Sequence, residues 1–171
     1  MSERYKVAGY VKLAKLWERS KDTAIPYHQQ YYKTKFEGSP DFELVDVYID
    51  ITGRKEIRHR PEMLRLPHDC REGKINCIAV QTRAYLAANT GEFCSLLRYL
   101  FDMAHPIHIV TEDEQYNINT ILNDDHQKEE LYRMARRFTE INPDEYRKWL
   151  EGIFLGIDKY VLQECVGHGK R

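Results

Sequence analysis

The chain of 171 residues has a formal net charge of −1, and its residues are 42% hydrophobic and 31% charged. This composition is typical of one globular domain with a buried core, it excludes a disordered chain, and the apolar runs are too short to span a bilayer. The absence of a basic excess argues against strong autonomous DNA binding, and the polar start Met1–Lys6 argues against export, so we expect a cytoplasmic protein without a membrane association.

In the first third of the chain, β-prone runs alternate with a helical pattern. Thr23 is the expected cap of the helix, and Tyr27, Tyr31 and Phe36 are its expected apolar side. The predicted elements are a strand at 6–13, a polar loop at 14–22, a helix at 24–37, a strand at 42–49 and a charged loop at 50–60.

The middle of the chain continues the alternation. Pro61 opens a short helix that Pro67 should kink or end, because a proline ring clashes with the preceding turn. The run at 75–80 is almost continuously apolar, which favours a strand buried on both faces of a parallel sheet. Asn89 is the expected cap of the next helix, with Glu92 closing a capping box. The remaining predicted elements here are that helix at 90–102, a strand at 107–110 and a short edge strand at 117–122.

The last fifty or so residues change to helices alone. One is predicted over 124–141, and a second begins at Asn142-Pro143 and carries an aromatic-rich stripe to about Val161. Such an apolar load on a terminal helix must pack on the domain or meet another chain, and Gly152 and Gly156 would permit a close approach. The candidate oligomer-interface residues are Phe138, Tyr146, Trp149, Ile153, Phe154, Ile157 and Tyr160.

The order of elements predicts the fold class. Strands separated by helices imply a three-layer α/β fold around a mainly parallel sheet of four or five strands, followed by C-terminal helices. We divide the chain into an α/β domain at 1–122, a helical extension for dimerisation or packing at 123–166 and a frayed tail at 167–171.

The cysteines and histidines do not predict a metal site. The four cysteines form no CxxC pair and are typical of reduced thiols in a cytosolic protein. His105/His108 and Cys165/His168 are the only suggestive pairs, and neither supplies four converging ligands. We therefore predict no metal and no cofactor.

Four segments of the chain resemble the catalytic domain of serine recombinases, the resolvase/invertase family. The segment 7–15 resembles the family's opening strand, with its pattern Tyr-x-Arg-x-Ser, and the likeness continues in order through 41–50, 60–66 and 73–100. Together they cover most of residues 6–122. The resemblance implies a central sheet of four or five strands and a long C-terminal helix that builds a dimer and leads toward DNA.

Carried over position by position, the resemblance implies a degenerate catalytic site. The family's nucleophilic serine falls on Ala14, and the arginine two residues earlier falls on Lys12. The arginine before the short helix matches Arg60. The Asp/Ser-Arg-x-x-Arg positions fall on Ala84, Tyr85 and Ala88.

These replacements predict an inactive protein. Ala14 has no nucleophilic atom, a loss that costs on the order of 10⁶ in rate, and Lys12 cannot form the bidentate contacts of an arginine. We therefore expect a recombinase-like module that pairs with itself or with an active relative. An active recombinase with a rearranged site, using Tyr85, is the alternative, and an unrelated nucleotide-binding α/β protein is disfavoured because GxGxxG and P-loop motifs are missing.

DNA contact by this chain is expected to be weak. The break at Asn142-Pro143 interrupts the long family helix, and no zinc ribbon or helix-turn-helix follows it in the sequence. The densest basic stretch runs from Arg54 to Arg60, and a solvated charged loop is the alternative interpretation of it. The candidate DNA- or phosphate-binding residues are Lys12, Arg54, Lys55, Arg58, Arg60 and Arg83.

Overall fold

Four parallel strands form one sheet in the computed structural model, which describes residues 3–115, 117–122 and 124–169, without the side chains of 124–125 and 158–169. The strands are β1 (Tyr5–Leu13), β2 (Phe42–Ile51), β3 (Cys77–Val80) and β4 (His108–Thr111), in the order β2-β1-β3-β4. Each neighbouring pair is parallel, which confirms the predicted α/β sheet. The predicted edge strand at 117–122 is reduced, among the described residues, to one antiparallel bridge between Val110 and Asn119.

Helices lie on both faces of this sheet. They are α1 (Lys21–Phe36), α2 (Pro61–Arg71), α3 (Thr90–Phe101), α4 (Asp124–Ile141) and α5 (Pro143–Gly169). Within the described part of the chain, none of them combines the length and the apolar character that crossing a membrane requires.

The alternation of side chains along β1 separates two hydrophobic cores. Val7 and Val11 point to the face covered by α1, where the ring of Tyr32 is fully buried. A Cβ atom at Gly9 would lie 2.7 Å from the Cγ atom of Tyr32, so glycine is what allows α1 to approach β1 this closely. Tyr10 points to the opposite face, into the core that contains residues of α2, α3, α4 and α5.

The two C-terminal helices complete that second core. Ala135 of α4 is fully buried, and Ile153 and Ile157 of α5 are 1% and 6% exposed. A Cβ atom at Gly156 would lie 2.8 Å from the Cδ1 atom of Leu64 in α2. The close approach predicted for this glycine therefore occurs within the chain. The division into domains at residue 122 stays a prediction.

Some predicted boundaries are wrong for identifiable reasons. α1 begins at Lys21, before the expected Thr23 cap, and Tyr32 rather than the exposed Tyr27 is its buried aromatic residue. Pro67 does not end α2, which continues to Arg71, because the burial of Pro67 and its neighbours favours the helical position. β2 continues to Ile51, two residues beyond the prediction, since its last residues still pair with β1.

Two predicted helix boundaries are confirmed. The Asn89 Oδ1 atom accepts a hydrogen bond from the Glu92 N–H at 2.9 Å, which caps α3 as expected. α4 ends at Ile141 and α5 starts at Pro143, so the predicted break at Asn142-Pro143 is present. A proline in the first turn of a helix is tolerated because its missing N–H would have no intrahelical partner there.

Candidate functional site

The carboxyl end of β1 carries an exposed alanine where the resemblance places a nucleophile. Ala14 follows the last residue of the strand, and its carbonyl accepts a hydrogen bond from the Trp17 N–H at 3.0 Å, which begins a 3-10 turn over Lys15–Ser20. The neighbouring chain lies close by, since the Thr52 N–H donates to the Leu13 carbonyl at 3.0 Å. An exposed methyl group thus occupies this position, with no atom that can attack phosphorus.

Arg60 survives from the predicted site, but its side chain is buried. Pro61 restricts the residue before it to extended backbone, and Arg60 has φ −115° and ψ 99°. The residue is 1% exposed, and its guanidinium group donates to the carbonyl oxygens of Tyr85 and Lys55. Arg60 therefore links two backbone segments in this structure.

Tyr10 and Asp50 extend this buried polar group to the start of α2. The Tyr10 hydroxyl donates to Asp50 Oδ2 at 2.8 Å, and the two carboxylate oxygens accept from the backbone N–H groups of Glu62 and Met63 at 3.0 and 2.9 Å. Asp50 thereby satisfies two of the free N–H groups at a helix N-terminus. Burial, reinforced by the adjacent Asp50 charge, raises the pKa of Tyr10 far above its ordinary value.

This role of Asp50 was not predicted from the sequence. The residue was assigned to a charged loop, whereas in the structure it is 4% exposed and lies in β2, opposite Lys12 of β1 in the strand register. An aspartate at the end of an apolar strand, shortly before a helix that begins with Pro61, was the available signal.

Lys12 lies in a locally positive environment. Its Nζ atom donates to the Thr52 carbonyl at 3.5 Å. Partial burial, together with the positive charges of Arg60 and Lys55, lowers the pKa of Lys12, and Asp50 opposes that effect. An anion at this place would relieve the repulsion among the three cations.

Glu92 connects the predicted site to the C-terminal helix. Its carboxylate accepts from the Ala88 N–H at 2.9 Å, from the Ile57 N–H at 3.2 Å and from the Trp149 indole N–H at 3.1 Å. A capping box also predicts a hydrogen bond from the Asn89 N–H to the Glu92 carboxylate. That part of the prediction is wrong, because the carboxylate accepts from Ala88 and from more distant segments. The sequence pattern identified the residue without revealing these partners.

Three of the remaining predicted positions line a separate cleft. A cleft of about 740 Å³ lies between the start of α3 and α4, and Arg83, Ala84 and Ala88 are among its lining residues. Lys12 and Arg60 do not line it, whereas the side chain of Tyr85 packs half-buried between the two cores. The structure thus brings Lys12, Arg60 and the Tyr85 carbonyl into one group and places the two alanines beside a neighbouring cavity.

The basic loop after β2 is mostly exposed, as its sequence suggested. Arg54, Lys55 and Arg58 are exposed. Arg58 pairs with Glu56 at 2.7 Å, and an Arg54 Nη atom lies 3.0 Å from the His59 Nε2 atom. DNA contact by these residues and by Arg83 stays a prediction.

Only part of the predicted oligomer stripe is accessible. Ile153 and Ile157 are buried in this chain's own core, and Trp149 is half-buried against Glu92, because α5 packs on α2. Phe154 is 39% exposed, and Leu155, which the prediction omitted, is 65% exposed. A partner of α5 would therefore meet these two residues.

The other two described candidates also make contacts within the chain. Phe138 packs half-buried against the core, and the Arg98 guanidinium lies over the ring of Tyr146 at 4.6 Å. The side chain of Tyr160 lies outside the described residues.

Comparison with solved structures identifies the fold. The N-terminal catalytic domain of the TP901-1 integrase superposes with a TM-score of 0.56 at 19% identity, over 81% of this chain and 97% of that domain. A resolvase-family site-specific recombinase from Streptococcus pneumoniae gives a TM-score of 0.52 at 14% identity, over 98% of this chain and 100% of that one. Neither a protein-family model nor a curated protein sequence matches the chain. The chain therefore has the fold of serine recombinase catalytic domains, as the resemblance implied.

Proposed function

We propose that this chain, which has the serine recombinase catalytic fold, is a non-catalytic module that acts as an interaction or regulatory partner in DNA recombination. The observation that carries the proposal is the exposed methyl group of Ala14 at the end of β1. Transfer of a DNA phosphoryl group to a protein requires a nucleophilic atom at the site, and alanine has none.

The position of Arg60 supports the same conclusion. Stabilising charge on a transferring phosphoryl group requires cationic or N–H donor groups that face the substrate, and in the recombinase family pattern arginine guanidinium groups provide them in bidentate geometry. The Nη atoms of Arg60 donate to two backbone carbonyls, and Lys12 provides a single ammonium group whose pKa is lowered. Restoring a serine at position 14 alone would therefore leave the DNA phosphate without bidentate arginine contacts.

We infer further that the module pairs through α5, with itself or with an active recombinase relative. The apolar residues of this helix that a partner could reach are Leu155, which is 65% exposed, and the outer part of Phe154, whose ring also contacts Tyr99. Light scattering at tens of micromolar should show a dimer, or a mixed oligomer when an active relative is added, and strictly monomeric behaviour in both cases would contradict the pairing.

A covalent-trapping assay tests the absence of catalysis. Supercoiled plasmids with random inserts are incubated with the protein, and covalent protein–DNA adducts are recovered by phenol partition and sequenced, with an active serine recombinase on its own site as the positive control. We expect no adduct from the parent or from Ala14→Ser, because Arg60 stays buried in both.

The same assay addresses the alternative of a rearranged active site. An adduct formed by the parent would overturn the proposal, and its loss in Tyr85→Phe would identify Tyr85 as the nucleophile. An adduct formed only by Ala14→Ser would show that the rest of the catalytic machinery is intact, and would leave Ala14 as the one cause of inactivity.

A further inference from the structure

The turn after β1 exposes apolar side chains that the core does not use. None of the residues of Lys15–Ser20 is buried, and Leu16 and Trp17 are 73% and 45% exposed. Large apolar side chains that stand together on a surface frequently mark an interaction site. Among the described residues, no aromatic ring stacks on the Trp17 indole, so stacking on the exposed part of this ring is left to a ligand.

Exposed cations lie on the same turn as this indole and on the loop beside the turn. A Cβ atom at Gly53 would lie 4.0 Å from the Cβ atom of Lys15, so the turn lies directly against the loop that carries Arg54 and Lys55. These three cations are exposed, and within the described part of the chain no carboxylate forms an ion pair with any of them. The nearby Glu18 is paired with Lys21 at 3.3 Å.

We propose that Trp17, together with Lys15, Arg54 and Lys55, forms a binding surface for single-stranded nucleic acid. An exposed indole stacks on the face of an unpaired base, and adjacent cations contact the phosphates on either side of it. In a duplex the base faces are covered by neighbouring base pairs, so the indole would add nothing to duplex binding. The positive environment of Lys12 at the same strand end favours an anionic backbone in particular.

This proposal is independent of the proposed non-catalytic function. DNA cleavage would overturn that function and leave strand binding untouched, whereas failure to bind single strands would leave the catalytic question open. The surface also differs from the degenerate site, because neither Trp17 nor Lys15 is one of the positions carried over from the recombinase family.

Fluorescence anisotropy with the full chain tests the proposal. A labelled oligo(dT) of about 15 nucleotides should bind more tightly than a duplex of the same length, with a strong dependence on salt. Trp17→Ala should weaken binding to the single strand by about 5- to 100-fold, and Trp17→Phe should retain most of it, because base stacking on an aromatic ring has about that value.

The salt dependence of binding tests the contribution of the lysines. Lys15→Ala and Lys55→Ala should each lower the slope of log affinity against log salt by about 0.7, the value for one phosphate contact on a single strand. Lys33→Ala, which removes an exposed cation near the other end of α1, should leave that slope unchanged.

The tryptophans supply a direct signal of stacking. The chain has two, and the second, Trp149, is half-buried and donates to Glu92, so quenching by oligo(dT) should come from Trp17. In Trp17→Phe the quenching should disappear while anisotropy still reports binding. Quenching that persists in Trp17→Phe would overturn the assignment of the stacking residue.

Three other results would overturn the proposal. One is equal or tighter binding of the duplex with no effect of Trp17→Ala. Another is no binding of oligo(dT) by the parent at low salt. The third is a change of oligomeric state in Trp17→Ala without any oligonucleotide binding, which would make this surface a protein interface.

Discussion

Polar side chains at the carboxyl end of β1 fall into two groups with opposite environments. Asp50, Arg60 and Tyr10 are at most 4% exposed; the Tyr10 hydroxyl donates to Asp50, and the Arg60 Nη atoms donate to backbone carbonyls. Lys15 and Arg54, on the turn and loop outside them, are exposed. Arg60 is thus held by the protein's own carbonyls in this structure, whereas the charges available to a ligand lie on the outer turn and loop.

The largest expected effect is the difference in stability between a variant that lacks a buried arginine and one that lacks an exposed arginine. Arg60→Ala would leave the carbonyls of Tyr85 and Lys55 without donors and would remove one of the cations near Tyr10 and Asp50, so we expect a loss of about 3–5 kcal/mol in the free energy of unfolding. Urea denaturation monitored by circular dichroism measures this loss.

Arg58→Ala is the matched control, because Arg58 is exposed and pairs only with the exposed Glu56 in the described structure. Its effect should stay within about 0.5 kcal/mol. Similar midpoints for Arg60→Ala and Arg58→Ala would show that Arg60 is not a structural residue and would return it to the list of candidate phosphate ligands.

The sequence predicted what depends on short-range pattern. The strands, the Asn89 cap of α3 and the break before Pro143 are signalled by residues within one or two turns of each other. The inward role of Arg60 depends on Tyr85, 25 residues away, and that of Glu92 on Trp149, 57 residues away. Spacing along the chain carries no signal for such partners, so these contacts were not predicted.

Glu92 offers the second-largest expected effect. Glu92→Ala would remove the acceptor of three N–H groups, from Ile57, Ala88 and the indole of Trp149, and should cost about 2–3 kcal/mol. The fluorescence of Trp149 should change in the folded state as well. Glu56→Ala, at an exposed position, should cost less than about 1 kcal/mol, and an equal cost for both variants would refute the connecting role of Glu92.

The two glycines of α5 extend the comparison to the C-terminal helix. Gly156→Ala would bring a Cβ atom to 2.8 Å from the Cδ1 atom of Leu64, so the buried Leu64 side chain or α5 must shift, whereas the nearest atom to a Cβ at Gly152 is 4.0 Å away. Gly152→Ala should stabilise the helix by up to about 1 kcal/mol. The Gly156→Ala variant should be less stable than the Gly152→Ala variant by about 1–2 kcal/mol. Thermal and urea unfolding of the pair measure the difference, and equal stabilities would mean that α5 does not pack on α2 as described.

The smallest expected effect is the change in stability at alkaline pH that comes from the buried pair of Tyr10 and Asp50. The pKa of Tyr10 is raised above its ordinary value of 10 by burial and by Asp50, so the folded state keeps a proton that the unfolded state releases above pH 10. The stabilising contribution of this group is therefore complete below pH 10 and declines as the pH rises, by about 1 kcal/mol between pH 10 and 11. Tyr10→Phe should lose that part of the decline, and Tyr27→Phe, which removes an exposed hydroxyl, should keep the slope of the parent. A Tyr10→Phe variant whose unfolding free energy falls as steeply as the parent's would show that the Tyr10 hydroxyl ionises in the folded state too, and that the group around Asp50 is open to water.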